Sequence, residues 1–250
     1  MSIACPQIAQ PVPPAPDPRG RFTPLWRFVA AAGLGALGVV ALGLELSAGD
    51  GLSVGAALAV YGVAVLLAGR IMARSYPYRV LGFCNLVTLM RLAMTTALIA
   101  PLVAGSAAQW GVFIVAAVAL ALDGVDGWLA RRQHLVSQFG ARFDMEVDAG
   151  LGLVLAANAL VGGSVGAVVL LLGLPRYVFV AAGRVMPWLA APLPERIGRK
   201  WVCVIQIAVL IAVQAPVIPA PLAEAVIAVA ALALCWSFGR DILWLWRRRA

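Results

Sequence analysis

From Trp26 onward the chain repeats one pattern, an apolar run followed by a short polar break. The runs fall at 27–47, 52–70, 85–105, 109–130, 140–162, 165–188, 201–219 and 222–245. An α-helix needs about 20 apolar residues to cross the hydrocarbon core of a bilayer. A segment facing lipid finds no water for its backbone groups, so it must be helical or belong to a closed barrel, and the alternating segments of a barrel are absent. The pattern predicts an all-α, polytopic integral membrane bundle of about eight transmembrane helices. Composition excludes a soluble domain: 63% of the 250 residues are apolar and 12% are charged, against about half and a quarter in soluble proteins.

The basic residues set the orientation. Arg19, Arg21 and Arg27, then Arg70, Arg74 and Arg79, then Arg131, Arg132 and Arg142, then Arg196, Arg199 and Lys200, and finally Arg247 to Arg249 occupy one set of breaks. The alternate breaks carry no Lys or Arg, so the positive-inside rule places both termini and the basic loops in the cytoplasm, as in a bacterial-type inner membrane. The net charge of +8 is then a topology signal with some attraction to anionic lipid, and nucleic acid is not an expected partner. Residues 1–25 hold seven prolines and read as a disordered polar tail, without the charged start and apolar core of a signal peptide. Residues 70–84 read as a short interfacial stretch. Cys5, Cys84, Cys203 and Cys235 form no paired motif and read as reduced thiols.

Five of the eleven acidic residues fall between Asp123 and Asp148. Asp123, Asp126, Gly127, Ala130 and Arg131 share one helix face, and Gly140, Asp144 and Asp148 share a face of the next. Two antiparallel neighbours therefore aim four carboxylates into one space. Each costs roughly 3 kcal/mol at membrane depth, so a compensating charge is required. Arg131 and Arg142 are expected to pair with two of them, leaving the others to share protons or bind a cation. Oxygen ligands without nearby Cys, and with the single His134 outside both registers, favour Mg²⁺ or Mn²⁺ over zinc. Small residues on the carboxylate face leave room for a bulky ligand.

The pattern Asp123-x2-Asp126-Gly127-x2-Ala130-Arg131-x8-Gly140-x3-Asp144-x3-Asp148 resembles the signature of the CDP-alcohol phosphatidyltransferases in every residue type and spacing. Asn85, Thr88 and Arg91 extend the likeness upstream. The resemblance implies a six-helix core over 75–250, with 26–74 as two additional N-terminal helices. It implies metal-dependent transfer of a phosphatidyl group from CDP-diacylglycerol to a small alcohol acceptor with release of CMP. Asp123, Asp126 and Asp144 would hold the metal, with Asp148 as the base and a further ligand. Asn85, Thr88, Gly127, Ala130, Arg131 and Gly140 would line the nucleotide pocket, and the protein would be a homodimer among membrane lipids.

The acceptor is read from the remaining charges. Arg176 and Arg184 are similar to an arginine pair of relatives that use phosphorylated acceptors, although Tyr177 stands where an acidic residue is usual. Arg199, Lys200 and Gln206 resemble a basic stretch bordering the same pocket. Four basic groups favour a phosphorylated polyol such as glycerol 3-phosphate, whereas Tyr177, Trp188 and Trp201 would suit choline. Serine or a lipid hydroxyl also fits the Asp site. Arg240 and Asp241 read as a neighbouring pair outside the site. Outside the enzyme class, a cation- or proton-coupled transporter would also place carboxylates in a membrane, but its internal repeat is absent and the acids flank a basic loop. A lipid-binding protein without activity would have lost a signature residue.

Overall fold

The computed structural model describes residues 22–105, 109–163, 165–191 and 197–248. The tail to residue 21, and the side chains of Arg199 and Lys200, lie outside that description. The described residues form α-helices joined by turns, with no strand among them: α1 (Phe22–Leu46), α2 (Gly51–Ser75), α3 (Phe83–Ala97), α4 (Ile99–Ala104), α5 (Gln109–Arg132), α6 (Gln138–Val161), α7 (Leu170–Gly173), α8 (Pro175–Val185), α9 (Ile197–Ala212) and α10 (Ala220–Arg247).

Helix α1 begins at Phe22, inside the tail predicted over 1–25, because Pro24 falls in the first turn where no intrahelical N–H is required. Helix α2 runs to Ser75, so Arg70 and Arg74 lie on its last turns and not in an interfacial loop. At its other end Asp50 accepts from the Leu52 and Ser53 amides at 3.3 and 3.1 Å. The Ser53 hydroxyl also donates to this carboxylate, and that bond, joined by those from the amides, holds the Asp50 carboxyl below its usual range.

Among the described residues, five helical stretches are long and apolar enough to cross a membrane: Pro24–Leu46, Gly51–Ser75, Phe83–Ala104, Gln109–Arg132 and Ala220–Arg247. A sixth is reached if the bent pair Ala167–Gly173 and Pro175–Val185 is one span. This falls short of the eight continuous spans expected, for three reasons. Helix α6 is 24 residues long, but Arg142, Asp144, Glu146 and Asp148 make its first half too polar to pass on hydropathy. Helix α9 has 16 residues, about 24 Å of rise. The sixth run bends by 62° at Pro175, which cannot donate to the preceding turn.

Helix α6 divides the interior. Its first half sends Phe139, Phe143 and Val147 into a core with Phe28, Tyr61 and Met72 of α1 and α2 and Leu89 and Leu92 of α3. Its second half sends Leu151, Leu155 and Ala159 into another core with Leu210 of α9 and Ile227 and Leu234 of α10. Phe139 stacks on Phe143 at 5.6 Å, and Phe143 meets Phe28 edge-on at 6.1 Å. Outward-facing Leu34, Leu37, Leu66, Val229 and Leu232 leave an apolar exterior, as an integral membrane protein requires.

Candidate active site

Both signature segments are helical, and the turn between them is tightly made. His134 takes a left-handed conformation (φ 54°), and the Leu135 amide donates back to Ala130 O at 3.1 Å, ending α5. Ser137 then caps α6 by accepting from the Gly140 N–H at 3.0 Å. The turn sets α5 and α6 side by side with their acidic faces toward α3.

The centre of the site is Arg91 of α3, which is 1% exposed. Its Nη1 donates to Asp126 Oδ2 at 2.7 Å and to Asp144 Oδ1. Its Nη2 lies 3.0 Å from Asp123 Oδ1 and also donates to Asp148 Oδ1. Its Nε donates to Ala119 O at 3.1 Å. One guanidinium thus gathers all four signature carboxylates. Thr88, one turn earlier, donates to Asp126 Oδ2 at 3.0 Å, so the innermost carboxylate, 4% exposed, is held from two sides.

This corrects the expected pairing: among the described residues neither Arg131 nor Arg142 forms an ion pair. Both are exposed, and Arg131 lies back along its own helix, with Nη1 3.5 Å from where a methyl on Gly127 would sit. Sequence reasoning noted Arg91 but gave it no role. The available signal was an arginine within an apolar run, which at membrane depth demands partners.

Arg91 offsets one of four negative charges, and three remain. It comes from the buried side, while Asp123, Asp144 and Asp148 keep 32%, 36% and 32% of their side chains exposed. Asp123, Asp126 and Asp144 each offer an oxygen such that all three atoms lie within 4.8 Å of one another. The donor set is all carboxylate, which suits a hard divalent cation. The residues therefore fit Mg²⁺ or Mn²⁺, and the uncompensated charge is a reason to hold one.

The predicted nucleotide residues border this centre. Asn85 is buried on α3, and a methyl group on Gly140 would lie 3.4 Å from its Oδ1. Gly140 of α6 therefore stands beside the Asn85 amide of α3. Asn85, Thr88 and Gly140 stand on the two facing helices, with Gly127 and Ala130 on α5.

Asp148 also opens onto a cavity of about 360 Å³ whose walls include Arg176, Phe179, Gln206, Ser237 and Asp241. The bend before Pro175 brings Arg176 there, and Gly173 makes the bend fit: a methyl group on it would lie 2.9 Å from Ala156 Cβ and 3.1 Å from Leu153 Cα. Gln206 donates to the Leu172 carbonyl at the bend. Arg176 pairs with Glu146, while its Nε is buried without a hydrogen-bond partner. Arg184 is exposed and lies outside the cavity wall. Asp241, expected to be peripheral, is 5% exposed and lines the cavity. Nothing in its local sequence marks this, because the partner wall comes from α6 and α8.

No curated protein and no solved structure matches the chain. A family model described as CDP-alcohol phosphatidyltransferase matches residues 81–237, from just before α3 into α10, and holds the whole carboxylate constellation. The chain belongs to the CDP-alcohol phosphatidyltransferase family.

Proposed function

We propose that the protein transfers a phosphatidyl group from CDP-diacylglycerol to a phosphorylated polyol such as glycerol 3-phosphate, releasing CMP. At the level of the family it is a membrane transferase of substituted phosphate groups in phospholipid biosynthesis. The observation that carries the finer reading is a juxtaposition. Three carboxylates converge within 4.8 Å, and the fourth, Asp148, opens onto the cavity that contains Arg176.

In this reading Asp123, Asp126 and Asp144 hold Mg²⁺ or Mn²⁺, with Asp148 near enough to assist. When bound, the cation neutralises pyrophosphate oxygens and the departing CMP. Arg91 keeps the carboxylates in register from the buried side. Asn85, Thr88, Gly127, Ala130, Arg131 and Gly140 border the nucleotide. Asp148 takes the proton from the acceptor hydroxyl as its oxygen bonds to the phosphatidyl phosphorus. The bond from that phosphorus to the bridging oxygen breaks, and CMP leaves with the electron pair. Arg176 offers an unpartnered N–H to the acceptor phosphate, and Ser237, Gln206 and Asp241 are hydroxyl partners suited to a polyol. Arg199 and Lys200 remain candidates for the same phosphate, and Arg184, exposed outside the cavity, is the weakest of the four.

A site facing the cytoplasm is supported by the basic loops that flank it, and the extent of the match supports 75–250 as the catalytic core with α1 and α2 added to it. The homodimer rests on the family resemblance alone. Family membership favours the enzyme over the transporter. The test is CMP release by purified protein given CDP-diacylglycerol with glycerol 3-phosphate, inositol phosphate, serine or choline. Release is expected with a phosphorylated acceptor and either metal, and none in excess EDTA. Full activity in EDTA would refute the metal assignment.

A further inference from the structure

Helix α10 contributes two polar side chains to the cavity beside Asp148, Ser237 and Asp241. They stand one turn apart and so share a face. Ser237 is 4% and Asp241 5% exposed, while the adjacent Arg240 is exposed, because neighbouring helical positions face different ways. A carboxylate buried in a membrane-spanning helix is a functional candidate by default. Asp241 is not among the acids that Arg91 gathers. It also lies beyond residue 237, where the family match ends, so family membership assigns it no role.

The polar groups of the cavity sort by helix. Helix α8 supplies the cation Arg176, α6 supplies Asp148, and α9 and α10 supply Gln206, Ser237 and Asp241. Gln206 donates from its NH₂ to the Leu172 carbonyl, which leaves its Oε1 to accept. A carboxylate accepts, and a serine hydroxyl can accept or donate. An anionic group is therefore drawn to α8 and repelled by the α10 carboxylate, whereas a hydroxyl finds acceptors on α9 and α10.

We propose that Asp241, with Ser237 beside it, is a specificity-determining residue that accepts a hydrogen bond from a second, non-attacking hydroxyl of the acceptor, so that the cavity selects a phosphorylated diol over a phosphorylated mono-alcohol. With the phosphate at Arg176 and the attacking hydroxyl at Asp148, the middle hydroxyl is the group left for α10. Contacts from three helices fix the acceptor, and the carboxylate opposes its binding in reverse. An acceptor without that hydroxyl leaves the buried polar pair unmatched, and such sites reject analogues of this kind. The inference rests on the acceptor reading of the preceding section and adds the residue that sets the choice.

The experiment measures CMP release by the purified full-length protein in micelles with CDP-diacylglycerol and Mg²⁺. The two acceptors are glycerol 3-phosphate and 3-hydroxypropyl phosphate, which lacks only the middle hydroxyl. Wild type is expected to favour glycerol 3-phosphate by about ten- to a hundredfold in kcat/KM, the worth of one hydrogen bond to a charged group. Asp241→Ala should lower kcat/KM for glycerol 3-phosphate by about that factor and leave the analogue nearly unchanged, so that the preference shrinks toward unity. A merely structural role would slow both acceptors alike. Asp241→Asn keeps the shape but offers a neutral acceptor, and should reduce the preference several-fold even if the alanine variant does not fold. If wild type uses both acceptors equally well, or if the preference is undiminished in Asp241→Asn or Asp241→Ala, the assignment is wrong while the acceptor reading stands. If no phosphorylated acceptor yields CMP, the acceptor reading itself fails, and this inference with it.

Discussion

The carboxylate centre and the cavity beside it share Asp148 but are built in different ways. At the centre one arginine, 1% exposed, contacts four acids drawn from two helices, and every contact is a charge-assisted bond. In the cavity the arginine has one carboxylate partner, Glu146, which is 57% exposed, and the walls come from a bent helix pair, α6, α9 and α10. The first arrangement has little freedom, since moving any acid breaks a bond to the same guanidinium. The second can change a wall residue without disturbing the centre. Chemistry common to a family belongs in a region of the first kind, and the choice of acceptor in one of the second.

The largest predicted effect removes the hub of the rigid region. Arg91→Leu leaves four carboxylates gathered in a membrane protein without the guanidinium that contacts all of them. Deleting one partner of a buried pair costs about 3–5 kcal/mol, and here a single deletion breaks four contacts. Thermal unfolding in detergent should show loss of most of the stability, with no measurable transfer. Arg91→Lys keeps the charge but not the fork, and should recover part of the stability. An unchanged melting temperature for Arg91→Leu would mean that another group compensates the acids, and the contrast between the two regions would disappear.

How much of this was legible in the sequence follows from the separations involved. The four acids lie at three- and four-residue intervals on two adjacent helices, so helical periodicity alone places them on facing sides. Their partner does not follow from spacing: Arg91 is 35 residues from Asp126 and 57 from Asp148, while Arg131 and Arg142 are nearer in sequence and are the partners that spacing suggests. Proximity along the chain was the wrong guide because both nearer arginines can reach water and Arg91 cannot. The bend at Pro175 was written in the sequence but masked by the apolar run around it. Asp241 carried no local signal, since its burial depends on how α10 meets α6 and α8.

The second prediction separates transfer from binding at the residue the two regions share. Asp148→Asn keeps the shape and a hydrogen bond to Arg91 but accepts no proton. Turnover should fall by about 10²- to 10⁴-fold, the range for a lost general base. CMP binding should stay within a few-fold of wild type, because three other carboxylates remain. A variant that turns over at the wild-type rate would place the base elsewhere, and one that loses CMP binding as well would make Asp148 mainly a ligand.

The smallest effect is expected in the cavity, and it decides between acceptors. An aromatic cage for a quaternary ammonium would need Tyr177, Trp188 and Trp201 around one space. None of the three lines the cavity, whose aromatic walls are Phe179 and Phe238, and Trp201 is 62% exposed. A phosphorylated acceptor needs a cationic donor at the cavity wall, where Arg176 stands with its Nε buried and without a hydrogen-bond partner. Arg176→Ala should raise the apparent KM for glycerol 3-phosphate about tenfold, in keeping with one charge-assisted hydrogen bond. It should leave kcat and CMP binding nearly unchanged, because the residue touches neither the nucleotide nor the four acids. Glu146→Gln, which frees the guanidinium from its exposed partner, should lower that KM or leave it unchanged. If Arg176→Ala reduces kcat as strongly as Asp148→Asn does, the cavity is part of the rigid centre after all. If it leaves the KM for every phosphorylated acceptor untouched, the phosphate is bound elsewhere.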